Sequence, residues 1–100
     1  MQIRVTGTAA AQTFVEVAGQ LDSAGSAALL AKLDRLIDEG RHHLVVNVAA
    51  VTYCDSSGLS ALVRSRARAV EMTGSLRLVS ASPPVQRLLR LTGLTRMFEH

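Results

Sequence analysis

The sequence has little of three things: cysteine, aromatic side chains and long apolar runs. Cys54 is its only cysteine, which excludes an intrachain disulfide and argues against a metal-ligand cluster. The longest apolar stretch, 44–51, is interrupted by Asn47 and is far shorter than the ~20 residues that span a bilayer. Since the first residues also lack the apolar run of a secretory signal, we expect no membrane span and a cytoplasmic protein.

Only three aromatic residues are present that could stack on nucleic-acid bases, one Tyr and two Phe. The formal net charge is only +3, and the 11 Lys and Arg residues are scattered along the chain. This pattern favours a mildly basic surface and no direct binding of nucleic acid. With 48% hydrophobic residues, the 100 residues predict a single folded domain spanning 1–100, whose tail, 94–100, forms a final strand or turn.

The chain pattern predicts four strands. Residues 3–5 and 13–19 alternate apolar and polar side chains, and a weak turn at 7–11 favours an antiparallel pair. Residues 44–48 form a β-branched run typical of an interior strand, and 76–79 predict another. Because a helix separates the later strands, we expect parallel pairing with a right-handed crossover.

Three helices complete a β-β-α-β-α-β-α order. The first follows a capping residue, Asp22 or Ser23, and ends at Gly40; the second spans 58 to about 72. The third runs from Ser82–Pro83 to Gly93. The predicted apolar stripes are Leu29, Leu33, Leu36 and Ile37 in the first helix, Leu59, Leu62, Val63 and Val70 in the second, and Val85, Leu88 and Leu89 in the third.

Three polar residues, Asp55, Ser56 and Ser57, follow a buried strand and open the second helix. In open α/β sheets, functional sites collect at such strand ends. All three are good capping residues, but capping requires only one of them. Gly58 is expected to keep the first turn bare, so that a partner or a phosphate can approach. The helix amides would accommodate a phosphate on Ser57, so this position suits a switch.

Segments along nearly the whole chain resemble the STAS domain family, and specifically its free-standing bacterial anti-sigma-factor antagonists. These segments are 17–22 (VAGQLD), 44–48 (LVVNV), 55–59 (DSSGL), 74–79 (GSLRLV) and 91–94 (LTGL), with Phe98 near the end. The resemblance implies an α/β STAS fold, in which a small mixed β-sheet of four to five strands carries helices mainly on one face.

The resemblance also implies a partner-switching cycle without a cofactor. The unmodified antagonist binds an anti-sigma factor that is a serine kinase, and so frees the sigma factor. The kinase then phosphorylates the second serine of the motif, Ser57, which ends the binding, and a serine phosphatase resets the cycle. The implied partner-binding residues are Asp22, Asp55, Ser56, Ser57, Gly58 and Leu59. We expect a monomer or a weak dimer.

The chain departs from the family pattern at several positions. Asn47 stands where aspartate is frequent, Gln20 where glutamate is common, and Arg66 at a usually apolar helix position. Many relatives continue into a last helix after the position of Phe98, which leaves open whether the natural chain extends beyond His100.

The polar residues also allow other functional assignments. A serine hydrolase would need a histidine near Ser57, but His42 and His43 precede a strand and so lie at its opposite end. Neither a G-x-S-x-G elbow nor a phosphate-binding G-x-x-x-x-G-K-[ST] loop is present. We therefore predict a binding protein and no enzyme. The alternative within the same fold is a scaffold, or a component of a lipid-transport complex, that is not phosphorylated.

Two groups of charged residues on the helices have an ordinary explanation. Asp34, Asp38 and Glu39 are interpreted as surface charge on the solvent side of the first helix. Arg64 and Arg68, four residues apart on one face of the second helix, could engage a phosphate or an acidic partner. The simpler interpretation of these two arginines is a solvated helix face.

Overall fold

The computed structural model describes residues 1–99, in which four strands form one sheet and helices pack against it. The strands are β1 (Gln2–Ala9), β2 (Gln12–Leu21), β3 (His43–Cys54) and β4 (Ser75–Val79), and the helices are α1 (Ser23–Asp38), α2 (Ser56–Glu71) and α3 (Pro83–Thr92). The sheet order is β1-β2-β3-β4, with β1 antiparallel to β2 and the other two pairs parallel. The predicted mixed α/β fold is therefore confirmed, with four strands in the described residues. None of the helices there is long and apolar enough to cross a membrane.

The core lies where α1 and α2 cover the sheet. Alternate residues of β2, Thr13, Val15 and Val17, are fully buried, because successive side chains of a strand point to opposite faces. All four residues of the predicted α1 stripe are buried as well, which confirms the periodicity: Leu29, Leu33, Leu36 and Ile37. Helix α1 therefore packs its apolar face onto the sheet next to α2.

Helix α2 differs from its prediction in which residues it buries. Val70 is 47% exposed, whereas Ser65 and Ala69 are fully buried. The buried stripe therefore continues from Leu62 through two small side chains, which sequence hydrophobicity does not single out. Arg66 is partly buried, and its Nε is a buried donor without a hydrogen-bond partner among the described residues.

The turns also show where local sequence is a weak guide. Strand β1 extends to Ala9, so the turn consists of Ala10 and Ala11 alone, with φ of 51° and 66°. A two-residue hairpin loop of this kind needs positive φ at both positions, which is strained for alanine. Gly40 and Gly93, the glycines at which α1 and α3 were expected to end, both lie in the left-handed region, with φ of 91° and 72°.

Of the predicted strand or turn, residues 94–99 form no strand but contain a turn at Thr95. Residues Arg96–Phe98 make a short 3₁₀ helix, and the Phe98 side chain is 1% exposed within the core. A single large aromatic side chain therefore anchors this end of the described chain. His100, included in the predicted tail, lies outside the described residues.

Candidate functional site

Strands β2 and β3 end side by side, because Leu21 pairs with Cys54 in the parallel register. An aspartate follows each strand directly and caps the next helix. The Asp22 Oδ1 accepts a hydrogen bond from the Gly25 N–H at 2.9 Å at the start of α1. The Asp55 Oδ1 accepts one from the Ser57 N–H at 2.9 Å at the start of α2. Two capped helix N-termini therefore open at the same edge of the sheet, where ligands of parallel sheets usually bind.

The structure places Ser57 in the first turn of α2, where its backbone N–H and its side-chain hydroxyl differ in their hydrogen bonding. Its N–H is bonded to the Asp55 carboxylate. Its hydroxyl makes no hydrogen bond to another residue within 1–99, and the residue is partly exposed. Ser56, next to it, is exposed. The Ser57 hydroxyl can therefore be modified without breaking a hydrogen bond that stabilises the N-terminus of α2.

The other two residues of the motif face inward. A Cβ on Gly58 would lie 2.8 Å from the Leu21 Cβ and 2.9 Å from the Leu21 carbonyl oxygen, and Leu59 is only 8% exposed. A glycine is therefore needed at position 58, because the first turn of α2 contacts the end of β2. Contrary to expectation, Gly58 does not leave this turn open to solvent. That Gly58 and Leu59 contribute to partner binding stays a prediction.

Tyr53 lies beside the cap and was not predicted there. It is 47% exposed, and its phenol O–H donates to the Asp55 Oδ2 at 3.3 Å. The negative charge of Asp55, together with this hydrogen bond, raises the pKa of Tyr53. Cys54 is half-buried, and this burial raises the pKa of its thiol, so thiolate chemistry is disfavoured.

A groove between α1 and α2 begins at Ser57; we call it the serine groove. It is open to solvent, with a volume of about 260 Å³, and is lined by Ser26, Ala27, Leu30, Ser57, Ser60, Ala61 and Arg64. Among the described residues, Arg64 is the only charged one that lines it. Ser57, Ser60 and Arg64 recur at helical spacing, which was readable from the sequence; the contribution of Ser26 depends on how α1 packs against α2.

One turn further along α2, Arg68 is bound to α1. Its Nη1 lies 3.2 Å from the Asp34 Oδ1 and donates to the Asp34 carbonyl oxygen at 3.1 Å, while its Nη2 pairs with Asp38. These hydrogen bonds, that to Asp38 above all, raise the pKa of the Arg68 guanidinium. Asp34, Asp38 and Arg68 are therefore partly exposed surface charges, as expected, and they also join α1 to α2.

The structure also bears on whether a histidine lies near Ser57 and on whether a metal site is present. His43 begins β3, and its Nδ1 lies 3.1 Å from the Ser75 Oγ, at the end of the strand opposite Ser57. No cluster of three or more His, Cys, Asp or Glu side chains suited to a metal ion occurs in residues 1–99. The chemistry brought together at the strand ends is that of helix amides, carboxylate caps and serine hydroxyls.

Known proteins share both the sequence pattern and the fold. The family model described as "Mlab, STAS domain" matches residues 5–99. An anti-sigma factor antagonist from Mycobacterium paratuberculosis has a similar structure, with a TM-score of 0.82 and 25% identity, covering 98% of this chain and 84% of that one.

The anti-sigma factor antagonist SpoIIAA is similar in two states. Its unphosphorylated form gives a TM-score of 0.73 at 18% identity, covering 90% of this chain and 83% of that one. The phosphorylated form, described as that of a Bacillus cell fate determinant, gives a TM-score of 0.76 at 19% identity, covering 95% of this chain and 86% of that one. These structural neighbours are anti-sigma factor antagonists, and they confirm the α/β architecture.

Proposed function

The chain belongs to the STAS domain family, and from this premise we propose that it is an anti-sigma-factor antagonist switched by phosphorylation of Ser57. In the proposed cycle the unphosphorylated protein binds an anti-sigma factor that is also a serine kinase, and so releases the sigma factor. Phosphorylation of Ser57 ends this binding, and a serine phosphatase restores it. The protein acts in this proposal as a regulatory binding protein in the cytoplasm, with residues 1–100 serving as one STAS domain.

The observation that carries the proposal is the state of the Ser57 side chain. Its hydroxyl is partly exposed and makes no hydrogen bond to another described residue, whereas its N–H is already held by Asp55. A phosphate adds about −1.5 to −2 charges at pH 7, and a helix N-terminus is the part of a helix that best tolerates such a charge. The modification would therefore leave the fold intact and change the surface.

The change at the surface is large enough to release a partner. A protein that packs against Ser57 in its neutral form would have to bury a dianion beside the Asp55 carboxylate. Burial of an unpaired charge is strongly unfavourable, and like charges that are brought together cost more. SpoIIAA, which is similar in fold, exists in an unphosphorylated and a phosphorylated form, which supports the same kind of switch here.

A phosphorylation assay tests the proposal. The protein and its Ser57→Ala and Ser56→Ala variants are mixed with candidate anti-sigma serine kinases from the same organism and ATP, and the phosphate is located by peptide mass spectrometry. We expect one phosphate, on Ser57, that is lost in Ser57→Ala and retained in Ser56→Ala. Ser57→Ala should still bind the kinase, whereas Ser57→Asp should bind poorly.

Two results would contradict this. Phosphate on a residue other than Ser57 would remove the assigned switch. Absence of both transfer and binding with every candidate kinase would favour the alternative function, an unphosphorylated scaffold or lipid-transport component.

A further inference from the structure

The serine groove contains an arginine that has no partner within residues 1–99. Arg64 takes part in none of the ion pairs or side-chain hydrogen bonds of the described chain, although it lines the same groove as Ser57. Resting on the proposed function, we propose that Arg64 binds the phosphate group that Ser57 receives, and so holds it in the serine groove.

Helix geometry brings the two residues together. Ser57 and Arg64 are seven residues apart, so they lie within ~20° of the same face and ~10 Å apart along the axis. Side chains of a helix slant toward its N-terminus, which carries the long Arg64 side chain toward Ser57. Ser57 and Arg64 both line the groove, so a phosphate on Ser57 would extend into it. The long arginine side chain and the phosphate together can span the distance along the axis.

Hydroxyl groups complete the site on both walls. Ser60 lies between Ser57 and Arg64 on α2 and is exposed. On the α1 wall, Ser26 is 5% exposed, and its hydroxyl has no hydrogen-bond partner among the described residues. The oxygens of a phosphate dianion accept hydrogen bonds, which a guanidinium and the neighbouring hydroxyls can donate. Among the described residues no carboxylate lines the groove, and the one that flanks Ser57, Asp55, caps the N-terminus of α2.

The neighbouring arginine shows why Arg64 fits this role. Arg68 is already bound to Asp34 and Asp38, so a phosphate there would have to displace existing ion pairs. Arg64 gains its first ionic partner when the phosphate arrives, and no pair is broken. Phosphorylation therefore fills the groove and neutralises its only charged lining residue. A partner that recognises an open, basic groove loses both features at once.

The test uses protein in which phosphoserine is installed at position 57 by genetic encoding, and it follows the second ionisation of the phosphate by ³¹P NMR. A nearby guanidinium stabilises the dianion, so Arg64→Gln should raise this phosphate pKa by roughly half a unit, whereas the opposing effect of Asp55 is the same in every variant. Arg64→Lys should retain most of the effect. Arg90→Gln, at an exposed position of α3 outside the groove, should leave the titration unchanged.

A shift in Arg64→Gln no larger than that in Arg90→Gln would overturn the ion pair. Because the phosphoserine is encoded, the result does not depend on any kinase. A missing shift therefore overturns only this inference, and the kinase assay stands. A failed kinase assay with the shift present overturns the proposed function, and the ion pair stands.

Discussion

Helices α1 and α2 lie side by side, and the two ends of the pair use their polar residues differently. At the N-terminal end, Asp22 and Asp55 cap the backbone, while the Ser57 hydroxyl and Arg64 remain without partners in the described structure. Toward the C-terminal end, Arg68 is fully engaged with α1. Exposed charge alone therefore does not identify a site on this protein. What distinguishes the two ends is whether their polar groups already have partners.

The largest expected effect on stability comes from the close packing of Gly58 at the N-terminal end of the helix pair. Gly58→Ala would press a methyl group against the Leu21 backbone and side chain, so we expect a loss of about 1–3 kcal/mol in the free energy of unfolding. Ser60→Ala, on the exposed side of the same helix, is the matched control and should change stability little. Urea denaturation measures both. Equal stability of the two variants would show that α2 does not need this close approach.

A second, smaller effect on stability comes from the Asp55 cap at the N-terminus of α2. Asp55→Ala removes the acceptor for the Ser57 and Gly58 amides and should lower the free energy of unfolding by about 1 kcal/mol. Asp55→Asn keeps a capping oxygen and should lose much less. Thermal and urea unfolding compare them. If both variants lost stability equally, the carboxylate charge, and not the cap, would be the stabilising feature.

Substitution of Arg68, which forms ion pairs, and of Arg64, which forms none among the described residues, tests the difference between the two ends of the helix pair. Arg68→Ala should reduce stability by less than Asp55→Ala does, because partly exposed ion pairs contribute little. The loss should shrink further in high salt, which screens such pairs. Arg64→Ala should leave stability unchanged at all salt concentrations. A larger loss in Arg64→Ala than in Arg68→Ala would reverse the assignment of engaged and unengaged arginines.

The smallest effect is a titration of the single tyrosine. The Tyr53 pKa is raised by Asp55, so the absorbance change of the phenolate should have its midpoint above the usual value of about 10. The raised folded-state pKa gives a stabilisation that is fully present below the unfolded pKa and is lost as pH rises through the folded one. Asp55→Asn should return the midpoint toward about 10. An unchanged midpoint would exclude Asp55 as the cause.

Local pattern predicted much of this fold, because many of its elements bury regular apolar stripes. The Leu29–Ile37 stripe follows from periodicity, the strand at 44–48 from its β-branched residues, and capping by Asp22 and Asp55 from residue chemistry. The buried Ser65 and Ala69 were missed because small side chains carry no clear hydrophobic pattern. Their burial depends on how closely α2 approaches its neighbours.

The residues of the candidate site could be predicted from the sequence, but their tertiary contacts could not. The Asp55–Leu59 segment marks a polar helix start from sequence alone, whereas the inward position of Gly58 depends on the end of β2. The pairing of Arg68 with α1 and the place of Ser26 in the serine groove are tertiary contacts between helices. Such contacts depend on the register of two packed helices, which neither helix encodes locally.

The most direct test of the central claim is the affinity of one anti-sigma kinase for two forms of this protein. Isothermal titration calorimetry would compare the unmodified protein with protein carrying encoded phosphoserine at position 57. We predict that the phosphorylated form binds at least about tenfold more weakly, a difference of about 1.4 kcal/mol. Equal affinity for both forms would contradict the account, because it would show that the charge on Ser57 does not control binding of the partner.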